Sequence, residues 1–215
     1  MHMAHAALGH VARAAVLGAA AIASAAACAA SIVDEWATVK APPPPVLKHV
    51  TIDPKTTALL MLDFNKQTCN AERRPRCIAS IPRVVTLLKA ARAAGVPVIY
   101  SLGGGGAPAD IAQELAPANG EPVVSAGVDK FAGTELESLL KQKGVKTVVV
   151  VGVAAHGAVL YTASGAATRD MQVIVPLDGI SADIPYAEQY TAWHLANAPR
   201  IGSSVTLTTI DDVKF

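Results

Sequence analysis

Hydrophobic and polar positions alternate along this chain in two recurring patterns. Short continuous apolar runs, typical of fully buried strands, occupy residues 58–63, 96–101, 147–151, 172–177 and 205–209. Segments with apolar side chains at helical spacing separate them, at residues 78–94, 134–143, 158–170 and 184–198. Strands that alternate with helices predict an α/β fold. We expect a three-layer, doubly wound and mainly parallel sheet of about five to six strands, with helices on both faces.

The carboxyl ends of three strands are where such a fold binds ligands. Asp63 ends the first apolar run, and a glycine-rich loop at residues 103–106 follows the second. The third run stops at Gly152, and a helix of small residues begins within a few positions. The free N–H groups at the start of that helix therefore point into the same crevice, where they can hold an anion. Neither Cys nor Ser occurs between Gly152 and Tyr161.

The first thirty residues have the composition of a secretory signal peptide. They carry one charged side chain, Arg13, and an alanine-rich apolar run that ends in small residues suited to cleavage. A lipoprotein signal with Cys28 as its anchor is the alternative. The run is too short and too rich in alanine to predict a membrane span. We therefore expect an exported protein, periplasmic or secreted.

The remaining chain divides into an arm and one domain. Residues 31–47 include four consecutive prolines and predict an extended linker, and residues 48–215 are of a size that suits one α/β domain. Without Arg13, the 18 basic side chains become 17, which equals the 17 acidic ones. This balance gives no indication of nucleic acid or an anionic membrane as a partner.

Two cysteines, Cys69 and Cys77, lie close together in a polar loop of the mature chain. In an exported protein such a pair predicts a disulfide, with two free thiols as the alternative. The sequence has no H-x-x-x-H or D-x-H pattern, so no metal is expected, nor any other cofactor.

Three segments together resemble the isochorismatase-like hydrolase superfamily, which also contains cysteine amidohydrolases. The strand end Leu62-Asp63-Phe64-Asn65 is similar to the superfamily's strand-end Asp. Residues 131–136, Phe-Ala-Gly-Thr-Glu-Leu, resemble its F-x-G-T-x-L helix start. Residues 152–163 resemble its nucleophile turn, G-V-x-T-x-x-C-V-x-x-T-A. The resemblance extends over residues 57–209 and implies a hydrolase of small molecules.

The chain departs from the superfamily's pattern at several positions. The cysteine nucleophile falls on Ala158, and the lysine six residues before Phe131 falls on Ser125. Lys130, directly before that Phe, is either a displaced substitute or a surface charge. Residues 155–156 are similar to the Ala-His of true isochorismatases, which also lack the cysteine and hydrolyse a vinyl ether without a covalent intermediate. The resemblance further implies a cis peptide bond between residues 153 and 154.

Candidate roles follow from these positions. Asp63 is the expected general acid or base, with Lys130 as its partner. The backbone N–H groups of Ala154 and Ala158 are expected to hold a developing anion. Five further residues of the turn and the polar loop are candidates for substrate binding: Asn65, Gln67, Arg73, His156 and Tyr161. The alternatives are a backbone-bonded turn histidine for His156, a core aromatic residue for Tyr161, and a solvated loop for Arg73, Arg74 and Arg76.

The sequence thus predicts an exported hydrolase that acts without a cysteine nucleophile. We expect its partner to be a small substrate, such as a vinyl ether or an amide, that can carry a carboxylate for the loop arginines to bind. A catalytically degenerate domain that binds a small ligand or a protein is one alternative, and an amidohydrolase with a relocated nucleophile such as Ser125 is another. Whether the protein forms homo-oligomers is left open.

Overall fold

The computed structural model describes residues 31–215, and the signal-peptide prediction, including Cys28, lies outside them. The chain has two compact units, which divide between Ala41 and Pro42. The strands are β1 Val50–Thr51, β2 Thr57–Leu62, β3 Val98–Leu102, β4 Val123–Ser125, β5 Thr147–Val153, β6 Gln172–Pro176, β7 Ile180–Ser181, β8 Val205–Thr208 and β9 Val213–Lys214. The helices are α1 Ile32–Glu35, α2 Pro75–Ala93, α3 Leu136–Gln142, α4 Leu160–Ala167 and α5 Pro185–Asn197.

The main sheet has six strands in the order β4-β3-β2-β5-β6-β8, and every pairing in it is parallel. The short strand β7 adds to the end of β5, and β1 pairs with β9 in a separate two-stranded sheet. The chain runs outward from β2 to β4, then returns to β5 and runs outward in the other direction. The topological switch point therefore lies between β2 and β5, where doubly wound folds bind ligands.

Two hydrophobic clusters cover the two faces of the sheet. In β2, Leu60 and Leu62 belong to the cluster that includes α3, α4 and α5, whereas Leu59 and Met61 belong to the cluster that includes α2. This distribution follows from the period of two along a strand, and all six residues of β2 are buried. The predicted α/β class, with a mainly parallel sheet and helices on both faces, is confirmed.

Several local details differ from the sequence-based prediction. Helix α2 begins at Pro75 rather than at residue 78, because proline suits the first turn of a helix. The arm at residues 31–47 was expected to be extended, but α1 forms one turn within it, where the Ser31 backbone N–H and hydroxyl both donate hydrogen bonds to Asp34 Oδ2. Residues 155–159 form a separate wide turn before α4 begins. No helix within residues 31–215 combines the length and the apolar character needed to cross a bilayer.

Candidate active site

The ends of β2 and β5 lie side by side at the switch point, where Leu62 pairs with Gly152. Gly152 has a φ of 142°, and a Cβ atom there would collide with the carbonyl oxygen of Leu62. Only glycine permits this close approach at that backbone conformation. As a consequence, Asp63 and the turn at residues 154–158 both leave the sheet at its centre.

Asp63 and Lys130 form a buried ion pair at this point. The Lys130 Nζ donates a hydrogen bond to Asp63 Oδ2 over 2.8 Å. Lys130 is 0 % exposed and Asp63 is 5 % exposed. Lys130 Nζ also donates to the carbonyl oxygens of Gly127, at 2.7 Å, and Ala126, at 3.5 Å. These three acceptors match the three donors of an ammonium group. Lys130 is therefore not the surface charge that the sequence left as an alternative.

Asp63 also has a second side-chain donor that the sequence did not predict. The Ser101 hydroxyl donates to Asp63 Oδ1 over 2.6 Å, and the Asp63 backbone N–H donates to the Ser101 carbonyl over 3.1 Å. In addition, the Thr68 hydroxyl donates to the main-chain carbonyl of Asp63. Both carboxylate oxygens thus accept a hydrogen bond from the protein. The available signal was a polar residue near the end of an otherwise apolar strand, Ser101 in β3.

The turn after β5 contains the cis peptide bond between Val153 and Ala154 that the resemblance implied. Ala154 is half-buried, and its carbonyl oxygen accepts hydrogen bonds from the N–H groups of Gly157 and Val159. Ala158, which the resemblance aligns with the superfamily's cysteine, is buried in the core cluster beside α4. His156 is exposed. Tyr161 is 53 % exposed, so it is not the core residue of the alternative interpretation.

Asn65 and Gln67, two of the expected substrate-binding residues, hold the glycine-rich loop. Asn65 is fully buried, and its Nδ2 donates to the Gly103 carbonyl at 3.0 Å and to Gln67 Oε1 at 2.7 Å. The Gln67 Nε2 in turn donates to Asp110 Oδ2 at 2.6 Å. The hydrogen bond from Lys66, assisted by the Ala107 N–H and by Gln67, holds the pKa of Asp110 well below its ordinary value. Both amide side chains are therefore engaged within the protein.

The arginines of the polar loop are paired with carboxylates near α5. Arg74 is buried and donates to Asp183, whose other oxygen lies 3.8 Å from the Nε of Arg73. Arg76 donates to Glu188 over 2.7 Å. Arg74 is thus buried and fixed, whereas Arg73 and Arg76 are exposed, as the alternative of a solvated loop expected. The loop is tied to the segment that follows β7.

The predicted disulfide between Cys69 and Cys77 is present, and both residues are buried. It closes the loop that follows Asp63 and joins that loop to the first turn of α2. The Cys69 backbone N–H donates to the Asn65 carbonyl over 2.8 Å. A main-chain hydrogen bond therefore connects the disulfide to Asn65, which lies two residues after Asp63.

Three surface clefts among residues 31–215 are lined by other segments of the chain. One of about 730 Å³ lies between residues 42–45 and α5. The Asp63–Lys130 pair does not line any of these three clefts, and backbone and side chains cover it.

Comparison with known proteins identifies the family to which this chain belongs. Residues 57–209 match the family model of the isochorismatase domain. The match covers more than half of the chain, and the chain therefore belongs to that family.

Two curated relatives are similar over part of their length. The chain is 38 % identical over 119 residues to the secreted isochorismatase effector Isc1 of Verticillium dahliae, with 50 % of this chain and 63 % of that protein covered. It is 30 % identical over 145 residues to N-carbamoylsarcosine amidase of Arthrobacter sp, with 54 % and 55 % covered. The chain thus spans less than two thirds of the length of either relative.

Solved structures share the fold. An isochorismatase family protein from Desulfovibrio vulgaris superposes with a TM-score of 0.65 at 24 % identity, covering 73 % of this chain and 95 % of that one. N-carbamoylsarcosine amidase from Thermoplasma acidophilum gives a TM-score of 0.62 at 22 % identity, with 73 % and 97 % covered. At these identities the similarity establishes the fold alone.

Proposed function

We propose that this protein is a hydrolase that acts on a small substrate without a cysteine nucleophile, with Asp63 and Lys130 as its proton-transfer pair. The observation that carries the proposal is the 2.8 Å contact between Lys130 Nζ and Asp63 Oδ2. The resemblance assigns the family's lysine to Ser125, which is exposed at the end of β4. Lys130 comes from a different position in the sequence and still reaches the carboxylate.

The energetics of a buried ion pair support a functional role for it. Removing two charges from water costs several kcal/mol per ion, and apolar residues of similar volume are often equally stable or more stable. The presence of such a pair is therefore weak evidence for a role in stability. A charge pair at the switch point is therefore better explained by proton transfer than by stability.

The proposed reaction is hydrolysis of a vinyl ether, which needs a proton on carbon and no covalent intermediate. Asp63 delivers a proton to the terminal carbon of the double bond, and water adds to the neighbouring carbon. The resulting hemiketal then breaks its C–O bond and yields a carbonyl compound and an alcohol. Ala158 has no group that could attack the substrate, which is compatible with this route. The backbone N–H groups of Ala154 and Ala158 are the proposed donors to an anionic substrate group.

Two similarities favour a vinyl ether over an amide. Residues 155–156 are similar to the Ala-His of true isochorismatases, and the relative at 38 % identity is named an isochorismatase effector. The second relative is named an amidase, so amides belong in the same substrate screen. Arg73 remains a proposed binder of a substrate carboxylate. Its side chain is largely exposed, and its contact with Asp183 is long, at 3.8 Å, so the guanidinium group is accessible to a substrate.

The test is a screen of residues 31–215 against carboxylate-bearing vinyl ethers and amides, with Asp63→Asn beside the wild type. Positioned proton transfer contributes roughly 10²–10⁴-fold, so Asp63→Asn should lose at least about 10²-fold in kcat/KM. Asp53→Asn is the matched control, because the Asp53 carboxylate accepts hydrogen bonds from Lys55 and Thr56 in the turn that precedes β2. This turn lies at the end of β2 opposite to Asp63. Full activity in Asp63→Asn would refute the proposal.

A second candidate is a binding domain without catalysis, which the covered state of the Asp63–Lys130 pair favours. In that case the wild type shows no turnover with any substrate of the screen, while one of the compounds raises the Tm. A third outcome, turnover that is lost in Ser125→Ala but kept in Asp63→Asn, would instead support the relocated nucleophile.

We also propose that the protein is exported. Three observations support this: the apolar segment at residues 14–30, the buried Cys69–Cys77 disulfide, and a relative that is named a secreted protein.

A further inference from the structure

Ser101 contacts Asp63 through both its main chain and its side chain. Ser101 is 1 % exposed and lies in β3 beside β2, in parallel register with Leu62. The Asp63 N–H donates to the Ser101 carbonyl, and the Ser101 hydroxyl donates back to Asp63 Oδ1 over 2.6 Å. This reciprocal contact fixes the distance between the two residues at the carboxyl ends of neighbouring strands.

The carboxylate of Asp63 is confined on three sides. Ser101 donates to Oδ1, and Lys130 donates to Oδ2. Gly103 packs so closely that a Cβ atom there would lie 2.5 Å from Oδ2. With a separate donor on each oxygen, rotation of the carboxylate about its Cβ–Cγ bond would break both hydrogen bonds.

We propose that Ser101 is a positioning residue for the reaction of Asp63. Its hydroxyl fixes the plane of the carboxylate beside the ammonium group of Lys130. The proton that Asp63 delivers comes from Lys130, whose Nζ lies 2.8 Å from Asp63 Oδ2. This inference rests on the proposed function.

The proton balance of this cycle closes without any further reactant. A proton moves from Lys130 Nζ to Asp63 Oδ2 and then to the terminal carbon of the vinyl ether. Water gives its hydroxyl group to the neighbouring carbon, and its remaining proton returns to Lys130. The hydroxyl proton of the hemiketal moves to the leaving oxygen as the C–O bond breaks. The net reaction consumes one water molecule.

Three variants separate positioning from simple packing. Ser101→Ala removes the hydroxyl, and Ser101→Thr keeps it. Ser80→Ala is the matched control, because the buried Ser80 hydroxyl donates to the Cys77 carbonyl over 2.8 Å in α2 and has no hydrogen bond to Asp63. Ser101→Ala and Ser80→Ala each remove one buried hydroxyl, so a general loss of stability should affect both.

The experiment compares kcat and KM of these variants on the substrate found by the screen. Small misplacements of a reacting group cost up to about 10²-fold, so Ser101→Ala should lower kcat roughly 10- to 100-fold and leave KM within about twofold. Ser101→Thr should recover most of kcat, and Ser80→Ala should match the wild type. The inference is overturned if Ser101→Ala keeps the wild-type kcat, or if its loss appears in KM alone.

A second measurement needs no substrate. The ¹³Cγ resonance of Asp63 in NMR spectra should move in Ser101→Ala and stay in place in Ser80→Ala. An unmoved resonance in Ser101→Ala would overturn the inference even if Ser101→Thr folds poorly. Activity in Asp63→Asn would refute the proposed function, whereas an inactive Asp63→Asn beside a fully active Ser101→Ala would refute only the role of Ser101.

Discussion

Asp63 occupies a left-handed backbone conformation, with a φ of 56°, directly after β2. Non-glycine residues rarely adopt this region, although Asp and Asn tolerate it better than most residues do. Here the backbone on both sides of the carboxylate is held, by the Ser101 carbonyl at its N–H and by Thr68 at its carbonyl oxygen. The immediate surroundings of Asp63 are thus fixed by hydrogen bonds from two other segments of the chain.

Gly103→Ala tests how tightly these surroundings are packed. The added Cβ would lie 2.5 Å from Asp63 Oδ2 and 3.0 Å from its Cγ, so either the carboxylate or the loop must move. We expect a loss of activity of about 10²-fold, because the ion pair with Lys130 is displaced together with the carboxylate. The measurement is kcat/KM on the substrate of the screen.

Gly105→Ala is the control for this substitution. Gly105 has a positive φ of 73°, so alanine is strained there, but its Cβ would meet no atom within 4 Å. We expect a modest loss of stability with activity retained. Equal activity losses in Gly103→Ala and Gly105→Ala would indicate that loop strain, rather than contact with Asp63, is responsible.

At the residue scale, the sequence predicted some of the site and missed the rest. Asp63 was found because a carboxylate that ends an apolar strand is unusual. Lys130 could not be assigned from the sequence, because its distance to Asp63 depends on how residues 126–129 fold back. Asn65 and Gln67 were expected to bind substrate. Their amides form hydrogen bonds to Gly103 and Asp110, contacts between distant residues that no local pattern encodes.

The polar loop and its disulfide form the element that follows Asp63. Arg74 donates to the Thr68 carbonyl over 2.9 Å, and Thr68 contacts Asp63, so the loop supports the site through a chain of hydrogen bonds. Replacing both Cys69 and Cys77 by alanine should lower the free energy of unfolding by roughly 2–3 kcal/mol, the chain-entropy estimate for a loop this short. Urea unfolding, with the reduced wild type for comparison, measures this difference. An unchanged unfolding midpoint would contradict it.

The loop between β3 and β4 is held by Asp110, and this contact depends on pH. Because the pKa of Asp110 is lowered in the folded protein, chiefly by Lys66, its stabilising contribution is complete above the ordinary value of 3.8. That contribution is lost as the pH falls below this value toward the folded-state pKa. Asp110→Asn should therefore weaken the acid dependence of stability below about pH 4. Denaturant unfolding of both proteins at several acidic pH values checks this, and parallel pH curves would contradict it.

At the element scale, the longer strands and helices were predictable and the short ones were not. The apolar run at residues 58–63 became β2 except for Asp63, and the run at residues 147–151 became the first five residues of β5. Strands of two or three residues, such as β4 and β7, are too short for a pattern to show. They form because a neighbouring strand offers free backbone groups, as β5 does for β7.

At the scale of the whole molecule, the alternation of strands and helices predicted the class but not the strand order. A parallel sheet follows from the alternation, whereas the adjacency of β2 and β5 depends on pairings between residues far apart in the sequence. That adjacency creates the switch point and brings together Asp63 and the turn after β5. The family resemblance implied that Asp63 and that turn belong to one site, but it gave no strand order.

Export is a prediction about the whole chain. The apolar segment of residues 14–30 ends in small residues, so we expect the protein recovered outside the cytoplasm to begin between about residue 24 and residue 31. Intact-mass analysis of the exported protein measures this boundary. An amino terminus that begins with a lipid-modified Cys28 would support the lipoprotein alternative, and an uncleaved chain would contradict both.

The central claim is that the buried Asp63–Lys130 pair carries out proton transfer. The most direct test is the kcat/KM of the double variant Asp63→Asn/Lys130→Met, beside each single variant. A single substitution leaves one unpaired buried charge and should cost several kcal/mol of stability, whereas the double variant removes both charges and should remain folded. Because residues that act as a unit are not additive, the folded double variant should be about as inactive as either single variant, at least roughly 10²-fold below wild type. A folded double variant with wild-type kcat/KM would contradict the account.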